Sequence, residues 1–242
     1  MKTWFRMAAG LVLLTTSAVA RPAAASEDVV VLLHGLGRTN WSMRPLESRL
    51  EDSGYEVVNL RYPSTKLDPD ALVAYVGNAV MDCCREAARI HFVTHSLGGI
   101  LVRGYLATAR PENLGRVVMI APPNRGSELV DEFGNWPLFS WILGPTALQL
   151  GTDENSFPNR LPPADFDLGV IAGSESVNPF GAAILPDRND GTVSVASTKI
   201  DGMRDFVELP ASHTFIIWSD DAADQVIAFL RHGRFEPAHD EE

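Results

Sequence analysis

Thr94-His95-Ser96-Leu97-Gly98-Gly99 is the stretch that decides the fold. Before it runs Ile90-His91-Phe92-Val93, short and apolar, which reads as a buried strand. After it runs Ile100-Leu101-Val102-Arg103-Gly104-Tyr105-Leu106-Ala107, apolar at helical spacing. A serine on a tight strand-to-helix turn is held in a strained backbone with its hydroxyl pushed clear of the sheet. The first turn of the helix then offers N–H groups to an oxygen gaining negative charge. Position 94 is Thr where the strict G-x-S-x-G form has Gly. Gly98 satisfies the other side, and Gly99 allows close helix–sheet packing.

Outward from this turn, strands and helices alternate. Val29–Leu33 is a continuous β-branched and apolar run, a strand buried on both faces. A helix over about 42–52 turns Met43, Leu46 and Leu50 inward and stops at Gly54. Tyr55–Leu60 reads as the next strand. Asp68 as N-cap and Pro69 at the first helical position open a helix with the stripe Leu72, Val76, Val80, Cys83 and Ala87. Arg116–Ile120, Leu168–Ala172 and Asp205–Leu209 are further strands. Ser219 caps a last helix with Asp220 and Asp221 in its first turn, Val226, Ile227 and Leu230 on its apolar face, and Gly233 at its end. This alternation implies an α/β fold, a mostly parallel doubly wound sheet with helices on both faces, whose ligands sit at the carboxyl ends of the strands.

Residues suited to chemistry fall at those ends. His34-Gly35-Leu36-Gly37 follows the first strand, where glycines let the backbone approach a ligand and aim an N–H inward. The Leu36 and Leu97 N–H groups would make the pair of donors that a developing oxyanion needs. His213, between the last strand and the last helix, is placed to act as general base for Ser96. The other five histidines lie inside the glycine motifs, at the start of a strand, or near the acidic tail. An acid must orient that base. Asp190, in Asn189-Asp190-Gly191-Thr192-Val193, sits in a turn suited to aiming a carboxylate, while Glu175 and Asp187 keep the same chain order and stay open as alternatives.

Together these motifs resemble the α/β-hydrolase superfamily, and within it the exported bacterial lipases and esterases, over about residues 28–231. The resemblance implies Ser96 as nucleophile, His213 as base, Asp190 as orienting acid, and Leu36 and Leu97 as backbone donors. No pair of acids matches the calcium site of the larger bacterial lipases, so no metal and no cofactor are expected.

Between Pro122 and Leu168 the alternation breaks. A cap or lid insertion is expected over about 125–165, its aromatic residues lining an acyl pocket, with Trp136, Phe139 and Trp141 as substrate contacts alongside His34. The same residues could instead pack as additional core.

The ends and the composition bound the rest. Residues 1–25 read as a signal peptide: Lys2 and Arg6, then an apolar core, then Ala18-Val19-Ala20 as a cleavage site with Ala23-Ala24-Ala25 as a second. The apolar core is too short and interrupted to span a bilayer comfortably. A secreted or periplasmic location is expected, with no stable membrane insertion after cleavage. The domain then covers 26–235 and an acidic tail 236–242. The formal charge is −11, and loss of residues 1–20, with the two cations Lys2 and Arg6 and no acid, makes it −13. That disfavours nucleic acid as a partner, and a monomer acting on a small acyl ester or lipid is expected. The two cysteines, Cys83 and Cys84, read as small buried residues, with a strained vicinal disulfide or an interchain pair as alternatives, because adjacent α-carbons lie closer than ordinary disulfides allow.

The expected activity is hydrolysis of carboxylic esters, of the esterase or lipase type, through a Ser-His-Asp triad and an acyl-enzyme. Thioesterase, amidase or acyltransferase activity would use the same apparatus. A non-catalytic lipid- or protein-binding module is the alternative of another class, set against by the presence of all the parts.

Overall fold

The computed structural model describes residues 28–134, 136, 143–177, 181, 184–185 and 188–237. The signal segment 1–25 and residues 238–242 of the tail therefore lie outside the described residues. Six strands form one sheet: β1 (Val29–Leu33), β2 (Glu56–Leu60), β3 (Ile90–His95), β4 (Leu114–Ile120), β5 (Leu168–Gly173) and β6 (Asp205–Leu209). Their spatial order is β2-β1-β3-β4-β5-β6, and every neighbouring pair is parallel. All carboxyl ends therefore emerge on one edge of the sheet.

The covering helices explain why the inner strands read as unbroken apolar runs. Val29, Val31 and Leu33 of β1 pack with Leu72 and Val76 of α2 (Pro69–Cys84) and Ile100 and Leu101 of α3 (Leu97–Thr108). Val30 and Leu32 face the other way, onto Leu46 and Leu50 of α1 (Arg44–Asp52) and Val226 and Phe229 of α7 (Asp220–His232). Alternate residues of one strand thus belong to two different cores, so both must be apolar. Each fully buried Leu or Phe contributes roughly 1.5–3 kcal/mol of transfer free energy.

The helix signals operate as expected. The Asp68 carboxylate accepts from Ala71 N at 2.8 Å, and the Ser219 hydroxyl accepts from Ala222 N. Gly233 takes the left-handed conformation that ends α7. The first helix splits, with a 3-10 turn over Asn40–Met43 leading into α1, because Pro45 suits a helix start better than its interior.

The cysteines correct the sequence reading. Cys83 is bonded directly to Cys84, with α-carbons 3.8 Å apart. Only Cys84 is buried, while Cys83 faces solvent in place of the inward position its stripe suggested. The pair occupies the last turn of α2, where the register that points Val76 and Val80 inward carries Cys84, not Cys83, to the core.

Among the described residues, the insertion between β4 and β5 carries the short helices α4 (Glu128–Phe133) and α5 (Phe157–Arg160) and further helical residues at 143–147, and another short helix, α6 (Val195–Thr198), precedes β6. Arg103 of α3, 4 % exposed, fixes the insertion to the domain by donating to the carbonyls of Asn124, Leu161 and Pro162. Burial without a carboxylate partner lowers its pKa to about 10, so it remains a cation bound by carbonyl dipoles.

Candidate active site

Ser96 joins β3 to α3 with φ 53° and ψ −121°, a left-handed conformation that an L-residue adopts at a cost of roughly 1–3 kcal/mol. The surroundings leave it little choice. Ser96 N donates to Ile120 O at 2.9 Å. On the far side of the turn, a Cβ at Gly98 would stand 2.7 Å from the Leu33 carbonyl. Gly98 is therefore required by close approach of two backbones, whereas Thr94 is fully buried and its hydroxyl reaches the Val118 carbonyl at 3.5 Å. Thr in place of Gly is thus accommodated by the sheet interior.

The loop after β6 brings His213 to this turn. Its Nε2 lies 3.0 Å from Ser96 Oγ and its Nδ1 lies 2.7 Å from Asp190 Oδ2. Asp190 is held from all sides: Oδ1 accepts from Thr192 N at 2.9 Å and Val193 N at 2.8 Å, and its own carbonyl accepts from His213 N at 2.9 Å. A carboxylate with no proton can only accept, so Nδ1 carries the hydrogen and Nε2 presents its lone pair to the serine hydroxyl. The Asn189-Asp190-Gly191 turn makes this possible, with Gly191 at φ 91° and its N–H donating to Asn189 Oδ1 at 3.0 Å. Glu175, the alternative acid, is solvent-exposed and its backbone N–H donates to Ala211 O. Asp187 lies outside the described residues.

A second histidine supports the first. His95 is buried, its ring centroid is 4.8 Å from that of His213, and its Nε2 lies 2.9 Å from the His213 carbonyl. Because that partner can only accept, Nε2 is the protonated nitrogen, and Nδ1 is buried with no hydrogen-bond partner. Burial, and then the nearby His213, hold its pKa well below the ordinary value, so the ring stays neutral beside His213. Sequence reasoning assigned His95 no role of its own. The signal was its place next to Ser96 at the end of a buried strand.

Leu36 and Leu97 both lie at this edge, and neither backbone N–H has an acceptor among the described residues. His34 does not reach the substrate space expected of it. It is fully buried, stacked on Tyr62 at 4.1 Å, with Nδ1 2.9 Å from the Gly35 carbonyl, and the Tyr62 hydroxyl donates to the His34 carbonyl. Its side chain points behind the glycine loop and stiffens it from the core side.

Ser96 and His213 open into a cavity of about 290 Å³ whose walls include Leu36, Leu129, Val130, Leu143, Leu150 and Val193. Among the described residues, the insertion contributes Leu129, Val130, Leu143 and Leu150 to its apolar wall. Trp136 is 59 % exposed, packs edge-on against Phe133 and does not line the cavity. Phe139 and Trp141 lie outside the described residues. Among the described residues no three His, Cys, Asp or Glu side chains group closely enough to hold a metal ion, and no helix is long and apolar enough to cross a membrane.

The sequence profile of the alpha/beta hydrolase family matches residues 30–240, and the chain belongs to that family. Among solved structures, it is similar to the mature lipase BlEst2 of Bacillus licheniformis, with a TM-score of 0.66, 20 % identity, and coverage of 90 % of this chain and 96 % of the lipase. A metagenomic carboxyl esterase, MGS0156, gives 0.63 and 19 % over 85 % of this chain and 71 % of the esterase. The phospholipase PlaB of Legionella pneumophila gives 0.54 and 21 % over 71 % of this chain but only 45 % of the phospholipase. No curated protein matches in sequence. These likenesses, all under 25 % identity, share the fold of this chain.

Proposed function

We propose that this hydrolase cleaves carboxylic esters of short to medium acyl chains by way of an acyl-enzyme. The observation that carries the reading is the unbroken relay from Asp190 through His213 to Ser96, open on one side to an apolar cavity. Ser96 Oγ attacks the acyl carbon as His213 Nε2 takes its proton, and Asp190 holds the imidazole in the required tautomer and stabilises the imidazolium. The tetrahedral oxyanion is met by the Leu36 and Leu97 N–H groups, donors of a kind worth ~2.7–4 kcal/mol each when removed from other enzymes. His213 then returns the proton to the leaving alkoxide. Water enters, His213 serves again as base, and the acid is released.

The cavity limits the acyl group. At about 290 Å³ it stands at the lower edge of the ~300–1,000 Å³ usual for small-molecule sites. The test is hydrolysis of p-nitrophenyl esters from acetate to palmitate by wild type beside Ser96→Ala. A Ser96-dependent rate greatest between butyrate and octanoate is expected. A folded protein that cleaves none of them would overturn the reading in favour of a thioester, an amide or a binding role.

A further inference from the structure

Next to the Ser96 cavity lies a more open hollow of about 600 Å³ whose lining includes Arg38, Arg61 and Lys66 and, among the described residues, no acidic one. In a chain with 31 acids against 20 basic residues, three cations without a carboxylate among them run against the average. Seven of the thirteen other described arginines pair with carboxylates. Neither Arg38, Arg61 nor Lys66 forms an ion pair among the described residues. Such unneutralised charge lining a concave wall focuses the local potential toward an anion even when the net charge is negative.

The hollow is joined to the reaction centre. Arg38 and Leu143 line both spaces. Arg38 comes directly after the glycine loop, and its guanidinium donates to Thr214 Oγ1 at 3.0 Å, one residue beyond the base. Gly37 N donates to Ser64 Oγ at 3.1 Å, tying the far wall of the hollow to the same loop. Arg38 therefore stands beside His213, where a departing alkoxide would collect its proton, and the hollow with Arg61 and Lys66 opens from there.

We propose that this hollow binds a phosphate carried by the alcohol half of the ester, so that the substrates are acyl esters of phosphorylated alcohols such as acylglycerol phosphates. The inference rests on the ester-hydrolase reading above. Two guanidinium groups and an ammonium suit the three terminal oxygens of a phosphate monoester better than the two of a carboxylate. The phosphate takes no part in the chemistry. The Ser96 Oγ–acyl bond forms as the acyl–oxygen bond to the alcohol breaks, and the proton from Ser96 passes through His213 to that oxygen. Water then splits the acyl-enzyme into carboxylic acid and free Ser96, and the alcohol leaves with its phosphate intact.

The experiment compares kcat/KM for monobutyrylglycerol phosphate and monolauroylglycerol phosphate with the matched neutral monoacylglycerols, in wild type and in Arg61→Gln/Lys66→Gln. The wild type should favour the phosphate esters by about tenfold or more, ~1.4 kcal/mol. That ratio should fall about tenfold in the double variant and fall with added salt in the wild type. Preference at both chain lengths would mark a soluble phosphoester, and preference at the lauroyl length alone a lipid headgroup; either supports the subsite. A ratio near one in the wild type, or one unmoved by the double substitution, would overturn it. Calorimetry with glycerol phosphate reads the subsite without turnover: heat of binding that the double variant loses supports it even if no ester is cleaved, in which case only the ester-hydrolase reading falls. No binding by the wild type sinks the subsite itself.

Discussion

The two walls of the cleft are built by different means. The sheet-edge wall, with Ser96, Asp190 and His213, is made from residues whose polar atoms are held by backbone groups of neighbouring strands and loops (Ile120 O, Thr192 N, Val193 N) and by the His95 side chain. The insertion wall, with the half-buried aliphatic residues Leu129, Val130 and Leu143, is tied to the domain through Arg103, through the Thr146 hydroxyl that donates to the Leu67 carbonyl, and through Leu150 and Phe157 in the core. Hydrogen bonds fix position to tenths of an ångström, whereas apolar contact fixes volume. The first wall should therefore govern rate and the second choice of acyl group.

The strongest test of that division is Ser96→Ala. Loss of the whole triad in a serine protease lowers kcat by ~2 × 10⁶, and a fall of at least ~10³ is expected here in ester turnover. The hydroxyl is not part of the packing, so thermal unfolding followed by circular dichroism should stay within about 0.5 kcal/mol of wild type. A large drop in stability would mean that the turn depends on the serine for its structure.

Asp190→Asn should follow in size. The amide can keep the bonds from Thr192 N and Val193 N through its oxygen but turns an N–H₂ toward His213, which forces the wrong tautomer. The corresponding change in a serine protease costs ~10⁴ in kcat, and a similar loss is expected in kcat with little change in KM. Glu175→Gln should leave kcat/KM where it was, since Glu175 is exposed and its side chain is absent from the relay. Equal effects of the two substitutions would erase the distinction drawn between the acids.

The same division explains what the sequence disclosed. Val29–Leu33, the strand over Ile90–Val93 and the capped helices were legible because burial on both faces and cap chemistry are local demands, met by local residue choice. Ser96, Asp190 and His213 were legible because each stands at a strand end or in a turn whose geometry follows from its own neighbours. The insertion was not. Of its aromatic residues read as a pocket lining, Trp136 faces solvent while Leu129, Val130 and Leu143 line the cavity, an outcome that no period in the sequence states, and Phe139 and Trp141 lie outside the described residues. Arg38, Arg61 and Lys66 escaped for the same reason: residues 38 and 61 meet only because β1 and β2 are neighbours in the sheet. Cys83 and Cys84 show a smaller failure, in which the stripe named the wrong member of an adjacent pair as buried.

Acid should loosen the core around the sheet before it affects the insertion. His34, His91 and His95 are all buried, and desolvation lowers the pKa of each from the ordinary value of 6.5. Each is therefore neutral when folded and gains a proton more readily once unfolded, so the unfolded chain binds more protons as pH falls. The stabilisation is complete above about pH 6.5 and is lost as pH drops below that toward the lowered folded values. The melting temperature should decline by a few degrees between about pH 7 and pH 5, and His91→Gln, near the start of β3 and remote from Ser96, should flatten that decline without changing the pH dependence of kcat. A melting temperature that stays level over this range would mean the three rings are not held neutral.

The smallest effect should come from the insertion wall itself. Leu129 lies on α4, half-buried, with its side chain against the cavity. Leu129→Ala removes three carbons from a partly exposed position, so the stability loss should stay near ~1 kcal/mol, below the 2–5 kcal/mol of fully buried leucines. The added space should move the best p-nitrophenyl ester about two carbons longer, with kcat on the short esters within about threefold of wild type, because one methylene in an apolar pocket is worth only ~1–3 kcal/mol of discrimination. If Leu129→Ala instead lowered kcat for every ester alike, the insertion would be positioning the nucleophile or base as well as bounding the acyl group, and the two walls would have to be treated as one device.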